Sequence, residues 1–155
     1  MKSTETTSER SQSTTTTLAP NPQNRCFGCG GANDDGMKLT FVQDNEKRRI
    51  IGRFVLGERY QGGGGMAHGG IIATLLDEAM GKACRFREVR AVTAELSVQY
   101  LKPVTVRDEI IVEGWEEADQ KGRNLFHVGE IRNAAGEVLA RGQARFVIIN
   151  DPGKT

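Results

Sequence analysis

Histidine and cysteine are both scarce in this sequence, and their scarcity restricts the chemistry open to the chain. The 155 residues include only two histidines and three cysteines. A zinc protease of the His-Glu-x-x-His type is excluded, because His68 and His127 do not form that motif. An odd number of cysteines, in a sequence without a signal-peptide pattern, favours reduced thiols over a disulfide framework. We therefore expect a cytoplasmic protein.

Excess charge of one sign and long apolar runs are also lacking. The sequence has 21 lysines and arginines against 20 acidic residues, a net charge of +1. Nucleic acids and anionic membrane surfaces both attract proteins with a clustered positive face. No apolar run approaches the roughly 18 residues of a membrane-spanning helix. We expect neither a nucleic-acid partner nor a membrane partner.

The first 24 residues differ in composition from the rest. They are rich in serine and threonine and show no apolar periodicity. Such a segment buries too little apolar surface to offset its ordering entropy, which predicts disorder over residues 1–24. A transit peptide is disfavoured by Glu5 and Glu9 and by the shortage of arginine. A single folded domain is expected over 25–150, with a short C-terminal tail over 151–155.

Hydrophobic periodicity in the domain predicts one helix and several strands. The apolar run from about Gly70 to Cys84 is long and rich in alanine, leucine and methionine, which favours a helix. Alternating or β-branched segments predict strands on both sides of it: 37–43, 49–56, 91–101, 108–118, 124–133 and 137–149. The first two are expected to form a hairpin, and the last two to meet at a turn around Gly136. This order predicts an α+β fold, in which one antiparallel sheet packs on one helix.

An acidic pair interrupts the predicted helix, and a helical wheel separates its two members. Glu78 lies four residues before Lys82, the favourable order for a helical ion pair. Asp77 lies almost opposite the apolar face, where a functional carboxylate and a solvated helix residue are both reasonable interpretations. Its neighbours on that side are all small: Gly70, Ala73, Thr74, Gly81 and Cys84.

A glycine-rich loop precedes the helix in "YQGGGGMAHGG", and most catalytic interpretations of it fail. No Gly-Lys-Ser/Thr follows, no Gly-x-Ser-x-Gly exists, and the strands do not form the parallel unit of a dinucleotide site. The free N–H groups of Gly69, Gly70 and Ile71 remain, and they can polarise a carbonyl at the helix start. His68 either contacts that carbonyl or is a hydrogen-bonded loop residue.

Three motifs together resemble a known family. "YQGGGGMAHGGIIATLLDEAM", "VTAELSVQYLKPV" and "CFGCGGANDDGMKLTF" are similar to the hotdog-fold thioesterases of the phenylacetate-pathway and thioesterase-superfamily-member type. The resemblance covers about residues 26–149. It implies an antiparallel sheet wrapped around a long central helix, and a homodimer or dimer of dimers. It also implies an acyl-CoA or related acyl thioester as substrate, with no metal and no cofactor.

The resemblance also implies roles for individual residues. Asp77 matches the acidic residue that acts on the thioester, either as general base or as nucleophile. The N–H of Gly69 matches the donor that polarises the thioester carbonyl, and His68 shapes the loop or contacts the thioester. Thr93 matches a hydroxyl that orients water or the aspartate. The family's water-binding asparagine is replaced by Gly62, which leaves Gln61 as the nearby substitute.

Further residues are expected to contact the substrate. The small residues Gly70, Ala73 and Gly81 would let it lie close to the helix, and Arg90 would meet it from the next strand. Arg90 belongs to a basic group that can pair with the phosphates of coenzyme A, although a solvated surface explains each member equally well: Arg85, Arg87, Arg90, Lys102 and Arg107.

The pair Cys26 and Cys29 has the spacing of a zinc or redox motif. A structural zinc requires four ligands, and among cysteines and histidines the chain adds only Cys84 and the two histidines. A buried turn near the acyl pocket is the preferred interpretation, and no metal is expected.

Two functions from different classes follow from these patterns. The first is hydrolysis of acyl-CoA to a free acid and coenzyme A. The second is binding of acyl-CoA without hydrolysis, which the missing asparagine at position 62 keeps open. A dehydratase is disfavoured, because it would need a catalytic histidine–acid pair.

Overall fold

The computed structural model describes residues 14–150 of the chain. The predicted C-terminal tail and residues 1–13 of the predicted disordered segment lie outside this range. The prediction of disorder is wrong for the part that is described, because Thr15–Leu18 form strand β1. This segment pairs antiparallel with β2 (Phe41–Asp44), and Leu18 packs against the core. Its order comes from backbone pairing and β-branched threonines, which an argument from apolar content does not detect.

The remaining strands lie close to their predicted positions: β3 (Arg49–Val55), β4 (Arg90–Tyr100), β5 (Glu109–Glu116), β6 (Asn124–Asn133) and β7 (Val138–Asn150). All seven form one sheet in the order β1-β2-β3-β5-β6-β7-β4, and every neighbouring pair is antiparallel. The hairpins β2–β3 and β6–β7 are confirmed. Gly136 has a φ of 85° in the second turn, a conformation that glycine adopts without strain.

Helix α1 spans Gly69–Lys82 and lies across the sheet. A short 3-10 helix, Ala83–Arg87, continues it and ends where Glu88 adopts a left-handed conformation. The apolar face of α1 is buried against the sheet: Ile72, Leu75, Leu76, Ala79 and Met80. The helical wheel predicts the first four of these and Ala83, which is buried in the 3-10 helix that follows. Burial of each large side chain contributes about 1.5–3 kcal/mol. The α+β class and the hotdog arrangement of one sheet around one long helix are therefore confirmed.

Glycine in the sheet allows α1 to approach closely. A Cβ atom on Gly114 of β5 would lie 2.5 Å from the carbonyl carbon of Ala79 in the helix backbone. That distance is far inside van der Waals contact, so the helix and the sheet backbone touch directly at this point.

Strand β4 is the long edge of the sheet. It pairs with β7 on one side, and within the described residues no strand pairs with its other side. The predicted burial of one face of this strand is not found in the single chain, since Val92 is 50%, Leu96 38% and Tyr100 57% exposed. Within residues 14–150, no helix is long and apolar enough to span a membrane.

Candidate functional site

Asp77 and Thr93 form the centre of the first candidate site. Asp77 lies in the middle of α1, and its side chain is half-buried. The hydroxyl of Thr93 on β4 donates a hydrogen bond to Oδ1 of Asp77 at 2.8 Å. The contact joins residues 16 positions apart, and it orients the carboxylate across the gap between helix and edge strand.

The environment of Asp77 changes its acidity. Burial raises the pKa of Asp77 above its ordinary value of 3.8, and the neighbouring charge of Glu78 raises it further. The hydrogen bond from Thr93 acts in the opposite direction, because it stabilises the ionised carboxylate. A carboxylate with a raised pKa is a stronger base once it is ionised.

A cleft of about 500 Å³ opens beside this pair. Gly81 and Arg90, two of the predicted substrate contacts, line it together with Phe146. Gly70 and Ala73 are not part of its wall. The small-residue face therefore borders the cleft only along the second half of the helix.

The start of α1 forms a second candidate site. His68 caps the helix, and its Nδ1 accepts a hydrogen bond from the N–H of Gly70 at 2.9 Å. The N–H of Gly69 has no hydrogen-bond partner among the described residues. The cap thus occupies the Gly70 donor and leaves the Gly69 donor free to meet a carbonyl oxygen.

Tyr100 holds this helix start from the end of β4. Its hydroxyl donates a hydrogen bond to the carbonyl oxygen of Gly69 at 2.8 Å. Tyr100 is not among the site residues predicted from the sequence, and the available signal was its place three residues before Pro103 in "VTAELSVQYLKPV". A second cleft of about 490 Å³ lies here, with a largely apolar wall that includes Met66, Ile72 and Tyr100.

The two sites are separate within one chain. Gly69 and Asp77 are eight residues apart in α1, which places them roughly 12 Å apart at 1.5 Å per residue. One thioester carbonyl cannot contact both groups at that distance. Gln61 joins neither site: its backbone forms a bridge with Ala67, its side chain is exposed, and it lines neither cleft.

Most of the basic group near the helix end is already paired. Arg85 donates to Gln43, and ion pairs engage three others: Arg87 with Glu116, Lys102 with Glu137, and Arg107 with Glu58. Arg90 forms no ion pair within the described residues and lines the Asp77 cleft. It is the basic residue of this group that is most available to a phosphate.

The Cys26–Cys29 turn packs against the side of α1 that carries Glu78. The thiol of Cys26 donates to Oε1 of Glu78 at 3.4 Å, and Lys82 pairs with Oε2 of the same carboxylate at 3.5 Å. Burial and the charge of Glu78 raise the pKa of Cys29 to about 12. The Glu78–Lys82 ion pair is confirmed, but Glu78 is also a contact of the cysteine turn. This contact spans 52 residues of sequence, so no local pattern signals it.

Comparison with known proteins now places the chain in a family. A model of the thioesterase superfamily matches residues 64–141, which is half of the chain and includes the end of the glycine loop, α1 and β4. The chain belongs to the thioesterase superfamily. Over 119 residues it is 30% identical to the acyl-coenzyme A thioesterase THEM4 of Rattus norvegicus, a match that covers 77% of this chain and 51% of the rat protein. This superfamily member thus spans about half the length of the curated relatives it matches.

Solved structures agree with the fold of this superfamily member. A crystal structure of a thioesterase superfamily protein is 28% identical, with a TM-score of 0.73, over 79% of this chain and 60% of that chain. A hypothetical thioesterase of Streptococcus pneumoniae, solved with coenzyme A, is 20% identical with a TM-score of 0.63. The second match covers 66% of this chain and 82% of that chain, and at its identity it supports the fold alone.

Proposed function

We propose that the protein hydrolyses an acyl-CoA, or a related acyl thioester, to a free acid and a thiol. The observation that carries this proposal is the half-buried Asp77 carboxylate, oriented by Thr93 at 2.8 Å beside an open cleft. Superfamily membership and the acyl-coenzyme A thioesterase activity named for the rat relative support it. The solved relative with coenzyme A supports coenzyme A as the thiol.

The sequence separation of an aspartate and a threonine in one relative supports the pair Asp77 and Thr93. The Streptococcus pneumoniae thioesterase has been solved with an aspartate replaced by alanine and, separately, with a threonine replaced by alanine. Those two residues are 16 positions apart in that chain, the same separation as Asp77 and Thr93.

The working site is proposed to form between two copies of the chain. Strand β4 offers a long unpaired edge with exposed apolar side chains, a surface that favours pairing with a second copy. In an antiparallel pair of β4 strands, the Thr93 end of one copy approaches the Tyr100 end of the other. Asp77 of one protomer would then meet the partner subunit's Gly69 N–H across the shared edge. We expect a homodimer, and a dimer of dimers is an extension of the same unit.

The reaction requires little beyond these groups. Asp77 accepts a proton from a water molecule while the water oxygen bonds to the thioester carbon. The carbonyl oxygen takes the developing negative charge and accepts a hydrogen bond from Gly69 N–H. The carbon–sulfur bond then breaks, and the departing thiolate recovers the proton from Asp77. General-base assistance contributes about 10²–10⁴-fold, and one oxyanion donor about 10²–10³-fold. Direct attack by Asp77, through a mixed anhydride, remains the alternative route for the same residue.

The proposal is tested by thiol release across a panel of acyl-CoA substrates. Asp77→Asn should lower kcat by at least about 10²-fold, because it removes the base and keeps the shape of the side chain. Asp34→Asn is the matched control, since the Asp34 side chain is 97% exposed in an ion pair with Lys38. Wild-type turnover by Asp77→Asn would refute the assigned role. Measurable acyl-CoA binding with no thiol release by the wild-type protein would favour the non-catalytic binding function instead.

A further inference from the structure

Three possible metal ligands converge beside the cleft of the proposed catalytic site, which Glu78 also lines. The sulfur atoms of Cys26 and Cys29 and a carboxylate oxygen of Glu78 all lie within 4.8 Å of one another, and all three residues are partly buried. The first two come from the loop before β2, and the third comes from α1. Beyond this pair the sequence offers only Cys84 and two histidines as cysteine or histidine ligands, and the fold supplies a glutamate instead.

The distance between one sulfur and the carboxylate oxygen fits a zinc tetrahedron. With zinc–sulfur and zinc–oxygen bonds of about 2.3 and 2.0 Å, a tetrahedral angle places sulfur and oxygen about 3.5 Å apart. The observed distance from Cys26 Sγ to Glu78 Oε1 is 3.4 Å. One edge of the tetrahedron therefore already has the required length.

The backbone of the loop fixes this arrangement. Gly30 N–H donates to the carbonyl of Cys26 at 2.9 Å, which closes a tight turn around the pair of cysteines. A Cβ atom on Gly28 would lie 2.4 Å from the Glu78 carboxylate, so the turn passes directly over that group. Leu39 N–H donates to the carbonyl of Gly28 at 2.9 Å and ties the turn to the core.

Binding of a divalent cation by two thiolates would leave the net charge of the cluster unchanged. Lys82 pairs with Oε2 of Glu78, which leaves Oε1 facing the two cysteines. Two neutral thiols, one carboxylate and one ammonium group sum to zero. When zinc displaces the two thiol protons to solvent, its charge of +2 balances the two thiolates and the sum is unchanged. Lys82 then neutralises the carboxylate from outside the metal shell, as outer partners of metal ligands commonly do.

We propose that Cys26, Cys29 and Glu78 bind a zinc ion, with a water molecule as the fourth ligand. Thiolate ligands favour zinc over magnesium or calcium, which prefer oxygen. The metal would clamp the loop before β2 onto the face of α1 that carries Glu78. Because it would link Glu78 to two cysteines that lie 49 and 52 positions before it, the metal should raise the thermal stability of the protein.

Metal binding by the reduced full-length wild-type chain is the first test. Elemental analysis should find about one zinc per chain, and removal of the zinc by a chelator should lower Tm reversibly. Titration of the metal-free chain with Co²⁺ should give saturable thiolate-to-cobalt charge-transfer absorption. Absence of saturable binding of both Zn²⁺ and Co²⁺ by the reduced wild-type chain would overturn the proposal, and this outcome does not depend on any variant folding.

Variants then assign the ligands. Cys26→Ser combined with Cys29→Ser should abolish the charge-transfer band. Glu78→Gln should weaken zinc affinity by more than about 10-fold, because even outer partners of metal ligands are worth about 10–100-fold. Cys84→Ala is the matched control, since Cys84 is a buried thiol outside the cluster. Unchanged zinc affinity in the double serine variant, or its loss in Cys84→Ala, would refute the assigned ligands.

Discussion

Two opposing influences meet at the carboxylate of Asp77. Burial raises its pKa, whereas the hydrogen bond from Thr93 lowers it. The Thr93 hydroxyl therefore has two effects: it lowers the pKa of Asp77, and it fixes the direction of the carboxylate toward the cleft. Its removal should affect both the pH profile and the rate.

Replacement of Thr93 separates these two effects. In Thr93→Val the loss of the hydrogen bond should raise the pKa of Asp77 further, so the acidic limb of the kcat/KM profile moves to higher pH. At neutral pH, kcat should fall by up to about 10²-fold, the cost of a reacting group misplaced by about 1 Å. Thr93→Ser keeps the hydroxyl and should restore both properties. An unchanged acidic limb in Thr93→Val would contradict the role of this contact.

His127 is the second residue whose environment predicts a pH effect. It is 1% exposed, its Nδ1 lies 2.6 Å from the carbonyl oxygen of Met80, and its Nε2 has no partner among the described residues. Burial lowers the pKa of His127 below its ordinary value of 6.5. Protonation would place a charge in the core beside Phe146, so the folded protein keeps this ring neutral.

Stability should therefore fall as acid is added. Below pH 6.5 the unfolded chain binds a proton at position 127 more readily than the folded chain does, so the free energy of unfolding decreases with decreasing pH. In His127→Leu this decrease should be smaller, although the variant loses about 1 kcal/mol at neutral pH with its hydrogen bond. Urea unfolding at pH 7.5 and pH 5.5 measures the difference. If the free energy of unfolding decreases equally in both proteins between pH 7.5 and pH 5.5, His127 is excluded as the source of the decrease.

The individual site residues differ in how far the sequence could reveal them. Asp77 could be proposed because its position opposite the apolar face depends only on local periodicity, and the family resemblance supplied its role. The free donor at Gly69 followed from the helix start for the same reason. The contacts of Tyr100 with Gly69 and of Cys26 with Glu78 depend on tertiary packing across 31 and 52 residues, which no local pattern contains.

Among the secondary-structure elements, the contact between α1 and β5 is the tightest approach of helix to sheet. Gly114→Ala should destabilise the protein by about 1–3 kcal/mol, because the added methyl group collides with helix backbone that cannot rotate away. Gly57→Ala is the matched control: a Cβ atom there meets nothing within 4 Å, and Gly57 has a φ of −77°. Denaturant unfolding of the two variants gives the comparison. Equal stability of both would mean that the helix can shift away from the sheet at little cost.

The type and order of these elements were predictable, with two exceptions. Strands, helix and hairpins follow from periodicity, which senses whether a face is buried. Strand β1 was missed because its threonines gain order from pairing with β2 and bury little apolar surface. The exposed apolar face of β4 was misjudged for a related reason, because alternation predicts that a face is covered but not which molecule covers it.

At the scale of the whole molecule, the separation of the two clefts allows a test of whether two copies of the chain share each active site. Gly69→Pro removes the free N–H, and proline is tolerated at the first position of a helix. His68 already has φ −62° and ψ 135°, the conformation favoured before proline. Gly69→Ala keeps the N–H, and its Cβ would lie at an ordinary 3.5 Å from Tyr100, so it should remain active.

Mixing two inactive variants should then restore activity. A dimer of one Asp77→Asn chain and one Gly69→Pro chain keeps one complete site if each site takes Asp77 and Gly69 from different copies. Co-unfolding and refolding of equal amounts should recover about a quarter of wild-type thiol release, because half of the randomly paired dimers carry one of two sites. Sites contained within single chains would give no recovery, and that result would refute the shared arrangement.

The unequal edges of the sheet have a consequence for assembly. One edge strand, β4, has 11 residues and exposed apolar side chains, whereas the other, β1, has four residues of which three are threonine. A sheet with two long edge strands that both expose apolar side chains could add copies at both ends and grow into a fibre. If two β4 edges pair as proposed, the described residues would leave only the short, threonine-rich β1 strands at the ends of the combined sheet. We therefore expect strand β1 to limit further growth of the assembly.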